Sequence, residues 1–308
     1  MSDKFSFFRI DKAPFFEHKN GWIQLIFMLL FVFVGALFLN IFSSFFAMVI
    51  WGKDILSDPT AGCYRFLQFF STLGSFFIPA LLFSYCSDKH FFTYSSANKF
   101  ILDRSMLIYV LLISITIIPL VSFVVYWNQQ LHLPEMFSKV ETWMLKMEEH
   151  NNHILEIITN DPRLSILALN IFICAFLPAV CEEFFFRGTL QVFCIKHLKN
   201  PHLAIWITGF IFSFIHLQFQ GFFARWLLGV YLGYLFLWGG SIWLPICAHF
   251  LHNTFSVLVQ FLITRSVLPQ DTDTLITSQI PSVIAALFMS ALLFWGIYRA
   301  YKQQISQP

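Results

Sequence analysis

Residues 164–193 read LSILALNIFICAFLPAVCEEFFFRGTLQVF. A helix needs about 20 consecutive apolar residues to cross a bilayer core. This run exceeds that and is long enough to tilt or protrude. Its second half nonetheless carries Glu182, Glu183 and Arg187. A charge held in lipid costs at least about 2.5–3.5 kcal/mol on the gentlest scale. Three of them within one helix need partners and a purpose. The stretch therefore points to lipid as the solvent and marks where ionisable groups have been kept inside it.

The rest of the chain agrees. Hydrophobic residues make up 57% and charged residues 12%, with 41 Phe among 308 residues, about half the charge of a soluble domain. Hydropathy outlines eight spans, at 22–50, 66–86, 105–127, 164–193, 203–218, 222–239, 243–264 and 281–300, the fifth and sixth being short. The expected fold is an all-α integral membrane protein of about eight transmembrane helices around an intramembrane cavity. Along the chain this gives a tail (1–21), three helices (22–127), a connector (128–162), a motif-bearing core (163–265), and a last helix with its tail (266–308). In the connector, Trp143, Met144, Met147, Ile154, Leu155 and Ile158 alternate with polar residues as on an amphipathic helix. It reads as a link on the outer surface rather than a lid. With the N-terminus inside, the inner segments hold eleven Lys/Arg, Lys4, Arg9, Lys12, Lys89 and Lys99 among them, and the outer segments seven. That bias and an even number of spans place both termini in the cytoplasm.

Several function classes are disfavoured. A net charge of +2 supplies no basic field for nucleic acid. The six Cys show no metal-ligand spacing and read as packing residues. No G-x-S-x-G or H-E-x-x-H occurs.

The buried ionisable groups fall on three spans: Glu182, Glu183 and Arg187; then His216; then His249 and His252, with Asn253. Glu183 and Arg187 stand i,i+4 and can pair along one helix face. Glu182 points about 100° away and is the carboxylate free to act as a general base. His249 and Asn253 also share a face, as do Phe212 and His216. Depth counted at about 1.5 Å per residue lets the three groups meet in one cavity. Two chemistries suit the set. In one, Glu and His deprotonate a water while a second His and an Asn amide steady an oxyanion, as in amide hydrolysis. In the other, Glu182, His216 and His249 ligate Zn²⁺ and leave a position open for water. His252 reads as a packing or rim residue, and Arg225, near the end of span six, as a snorkelling side chain. A proton-coupled transporter is the alternative class, although no inverted repeat is visible.

The pattern Glu182-Glu183-x-x-x-Arg187, Phe212-x-x-x-His216, His249-x-x-x-Asn253 resembles the CAAX prenyl endopeptidase type II family, also called the CPBP or Abi family of intramembrane proteases. The resemblance covers about 164–264. It implies an endopeptidase of the metallo or glutamate type acting near the membrane on a peptide or protein, in some members a lipidated one. Glu182 and His216 would be the water-activating pair, His249 and Asn253 the oxyanion pair, and Glu183 with Arg187 a supporting pair. Zn²⁺ is the only cofactor that the resemblance admits. Bacterial members are linked to bacteriocin immunity, which with this short chain suggests a bacterial inner membrane and leaves a non-catalytic immunity role as a further alternative.

Overall fold

A computed structural model describes residues 15–16, 18–87, 104–269 and 280–305; Lys4, Arg9, Lys12, Lys89 and Lys99 of the charge count lie outside them. The described chain is helical, with no strand among its residues. The helices are α1 (Gly21–Trp51), α2 (Ala61–Ser87), α3 (Arg104–Thr116), α4 (Ile118–Gln129), α5 (Ser138–Thr159), α6 (Leu164–Leu198), α7 (Pro201–Phe214), α8 (Phe222–Gly239), α9 (Trp243–Thr264) and α10 (Ile280–Ile305). The chain is an integral membrane protein. Among the described residues, six helices are long and apolar enough to cross a bilayer, or seven if α3 and α4, bent by 43°, form one span.

The expected count of eight is thus corrected to about seven, and the fifth candidate accounts for the difference. Helix α7 has 14 residues, about 21 Å at the α-helical rise against a core of about 30 Å. It stops because the chain unwinds at His216, where Leu217 takes a left-handed φ of 51°. The irregular stretch 215–221 is tolerated because other side chains satisfy its backbone, as non-helical backbone at membrane depth requires. Asn128 Nδ2 donates to the Phe219 carbonyl (2.9 Å), Asn128 Oδ1 accepts from the Phe223 N–H (3.0 Å), and Glu148 Oε2 accepts from the Gln220 N–H (2.8 Å). The bend in the third candidate falls at Pro119 in the first turn of α4, where a missing N–H and a ring clash break the helical ladder.

Small residues set the closest approaches. A Cβ placed on Gly35 of α1 would lie 2.5 Å from the Gly74 carbonyl oxygen of α2. The same device joins α7 to α8, where a Cβ on Gly229 would lie 2.9 Å from Gly209 Cα. Close backbone contact of this kind is how membrane helices gain packing energy when lipid offers no hydrophobic drive between them. Helices α7 and α8 run antiparallel, since Trp226 Nε1 donates to the Trp206 carbonyl and Ser213 Oγ to the Phe222 carbonyl. Large apolar side chains such as Ile26, Phe33 and Phe38 on α1 and Ile284, Phe288 and Trp295 on α10 face outward, as a lipid-bathed surface requires.

Helix α6 is not a regular α-helix. π-helical turns occupy Ile171–Phe176 and Phe186–Gln191. The first precedes Pro178, whose missing N–H a widened turn accommodates. In the second, Thr189 Oγ1 donates to the Phe184 carbonyl (3.1 Å).

Candidate functional site

The site is built on α6. Glu183 and Arg187, both fully buried, form the i,i+4 ion pair expected from their spacing, with Arg187 Nη1 2.7 Å from Glu183 Oε1. The other arm of Arg187 donates to the Gly229 carbonyl on α8 (2.8 Å), and one turn later Gln191 Nε2 donates to the Gly233 carbonyl (3.0 Å). Glycine at both positions leaves the carbonyl open to a neighbouring helix. The guanidinium lies 4.9 Å from the ring centroid of Phe212, within cation–π range. The Phe of the second motif therefore braces the Arg of the first.

Glu183 also reaches α9, where His249 Nδ1 stands 2.8 Å from the same Oε1. His249 is almost fully buried and packs edge-on against Phe212. With Nδ1 engaged, its Nε2 faces Glu182 Oε2 at 4.0 Å, and His216 Nε2 approaches that oxygen to 3.8 Å. His216 Nδ1 lies 2.6 Å from the Phe212 carbonyl. A carbonyl can only accept, so Nδ1 carries the proton and the neutral ring presents a lone pair at Nε2. Glu182 Oε2 is buried and has no hydrogen-bond partner. Separations of 3.8–4.0 Å are too long for direct hydrogen bonds.

Glu182, His216, His249 and Asn253 all line one cavity of about 750 Å³, where depth counting expects them to meet. Asn253 is half-buried at its wall. His252 lines this cavity and a smaller neighbouring one between α4 and α9.

Sequence reasoning missed three things. The connector helix α5 does not simply lie on the surface, since Met147, Asn151, Ile154, Leu155 and Ile158 form one wall of the cavity. Arg225 does not snorkel away. It lines the cavity, with Nη1 donating to the Gln218 carbonyl (3.1 Å) and Nη2 to Gln218 Oε1 (2.7 Å). Asn128 and Glu148 hold the stretch that follows His216. The amphipathic pattern of α5 was a usable signal for the first. A polar side chain bonded to backbone distant in sequence leaves no periodic trace, which is why Asn128 and Glu148 were missed.

The three candidate zinc ligands, Glu182, His216 and His249, face one another slightly more widely than a bound zinc would hold them. Ligands about 2.0–2.2 Å from a tetrahedral zinc lie about 3.3–3.6 Å from one another, whereas Glu182 Oε2 is 3.8 and 4.0 Å from the two imidazole nitrogens. Among the described residues, no group of three His, Cys, Asp or Glu side chains is placed to hold a metal ion. All six cysteines are free thiols.

Residues 164–255 match the family model described as type II CAAX prenyl endopeptidase Rce1-like. The similarity thus covers the segment that carries all three motifs. A curated relative, the uncharacterized protein YpbD of Bacillus subtilis (strain 168), is 29% identical over 89 residues, 27% of this chain and 41% of YpbD. The match therefore spans about two fifths of that relative's length. No solved structure matches the chain.

Proposed function

We propose that this chain, similar over residues 164–255 to the type II CAAX prenyl endopeptidases, is an intramembrane endopeptidase that hydrolyses a peptide bond with a water activated by Glu182 and His216. The observation that carries the reading is the paired approach of His216 Nε2 and His249 Nε2 to the unpartnered Glu182 Oε2. A water between Glu182 and His216 would meet two acceptors, the carboxylate and the imidazole lone pair. Both of its protons would then point at bases while an oxygen lone pair stays free to attack.

The steps follow from these positions. The water oxygen bonds to the scissile carbonyl carbon as a proton passes to Glu182. The carbonyl oxygen becomes an oxyanion, to which His249 Nε2–H and the Asn253 amide donate. For Nε2 to donate while Nδ1 also carries a proton, the His249 ring must be an imidazolium. The carboxylate of Glu183 at Nδ1 supports that charge, and Arg187 holds this carboxylate in place. As the intermediate collapses, the C–N bond breaks and Glu182 returns its proton to the leaving amine. No step needs a metal.

The substrate reads as a peptide or protein segment within or next to the bilayer, because the reactive groups line a cavity among membrane-embedded helices. On the Lys/Arg count we place the N-terminus in the cytoplasm, and the host membrane as bacterial; with about seven spans the count no longer requires the C-terminus to share that side. Purified protein in detergent, offered a library of apolar peptides and read by mass spectrometry, tests the activity. Defined internal cleavage that disappears in both Glu182→Ala and His216→Ala supports it. Cleavage unchanged in both variants refutes the assigned pair.

A further inference from the structure

Arg225 is the cation of the reaction cavity. It is half-buried at the wall that Glu182 and His216 also form, and it is held in place from one side only. Both of its bonds run to a single residue, Gln218, and Gly221 leaves room beneath, since a Cβ there would lie 3.4 Å from Nη2. Glu148 and Glu182 act on it through space, yet among the described residues no carboxylate forms an ion pair with it. Among the described residues, Gln218 alone accepts hydrogen bonds from its guanidinium. A cation at membrane depth is costly and is normally paired or functional. A guanidinium fixed at one edge by a neutral amide is shaped to take a carboxylate.

We propose that Arg225 is the anchor for a carboxylate carried by the peptide substrate, a role that rests on the proteolytic reading of the cavity. The anchor fixes the position of the chain relative to Glu182 and His216, and so selects which bond is cut. The anionic group is either a free C-terminus or an Asp or Glu side chain near the scissile bond.

Equilibrium binding to the Glu182→Gln chain in lipid-free detergent tests this with three matched apolar fluorescent peptides. One has a free C-terminal carboxylate and no acidic residue. The second is its C-terminal amide. The third is the amide with one internal Glu. At least one carboxylate-bearing peptide should bind about tenfold more tightly than the neutral amide, as a charge-assisted pair supports, and which one does so identifies the source. Arg225→Gln should bring the ratio to one, with Arg225→Lys in between. Equal binding of all three peptides overturns the proposal without any Arg225 variant, so a folding failure of Arg225→Gln would leave the test standing. A ratio that survives in a folded Arg225→Gln chain overturns it too. A merely structural Arg225 would weaken charged and neutral peptides alike. Phosphatidylglycerol that co-purifies with the chain and is lost with Arg225→Gln, in the absence of any peptide preference, would assign the cation to lipid and also sink the proposal. Wild-type cleavage run in parallel separates the two readings. Cleavage without charge preference removes the anchor alone, whereas charge-selective binding without cleavage removes the protease alone.

Discussion

Glu183 Oε1 lies 2.8 Å from His249 Nδ1, and the same oxygen receives Arg187 at 2.7 Å. One carboxylate thus joins two helices and sets the ring whose other nitrogen faces Glu182. In the proposed mechanism the two adjacent glutamates therefore have separable jobs, one holding the site and the other working in it.

Replacing Glu183 should be the more damaging change to the fold. Glu183→Ala leaves Arg187, with no exposed surface, without its carboxylate. Breaking a buried pair in this way costs about 3–5 kcal/mol. Thermal unfolding in detergent should show a lower midpoint and reduced yield, while Glu182→Gln should melt close to wild type. If Glu183→Ala melts like wild type, the bracing role is wrong.

The α7–α8 crossing should tolerate no side chain. Gly229→Val puts its Cβ against backbone of Gly209, a change that other helices cannot absorb by a rotamer shift. Overpacking of this kind costs about 1–3 kcal/mol, and because α7 carries His216, turnover should fall along with stability. An α7–α8 crosslinking or melting assay that finds the variant indistinguishable from wild type contradicts the packing account.

Hydropathy made the long helices legible, and the spacing of Glu182, Glu183, Arg187, His216, His249 and Asn253 made the site legible, because each of those signals is local. What the sequence concealed was long-range. The end of α7 depends on Asn128 and Glu148 capping backbone that lies 72 to 95 residues away. The same hydropathy that outlines α7 cannot reveal that it unwinds at His216. Arg225 reads as a snorkelling charge because its one-dimensional position is near a span end, whereas its partner Gln218 turns it into the cavity. The resemblance covered α6 to α9 and was silent on α5, which supplies a cavity wall.

The capped stretch 215–221 should control turnover more than stability. Asn128→Leu removes its bond to the Phe219 carbonyl and its bond to the Phe223 N–H at the start of α8, leaving two backbone groups unpaired at a cost of about 1–3 kcal/mol each. The expected result is a drop in kcat of about tenfold or more, with folding retained, because His216 loses its fixed position. Glu148→Gln, which keeps an oxygen acceptor for the Gln220 N–H, should recover most activity relative to Glu148→Leu. Equal loss in both Glu148 variants would show that charge, not the hydrogen bond, matters there.

Activity should survive chelation. The purified chain should contain less than one zinc per molecule and lose no turnover after dialysis against a chelator. Stoichiometric metal, with activity lost on chelation and restored by zinc alone, would instead make Glu182, His216 and His249 ligands that close up around an ion.

The central claim is that Glu182 delivers a water to a peptide carbonyl. Its most direct test is cleavage in H₂¹⁸O, with the new carboxyl terminus read by mass spectrometry for wild type and Glu182→Gln side by side. The expected outcome is one ¹⁸O in the product carboxylate of the wild type and no product from a Glu182→Gln chain that melts normally. Labelled product formed at the wild-type rate by Glu182→Gln, or no cleavage of any peptide by the wild type, would contradict it.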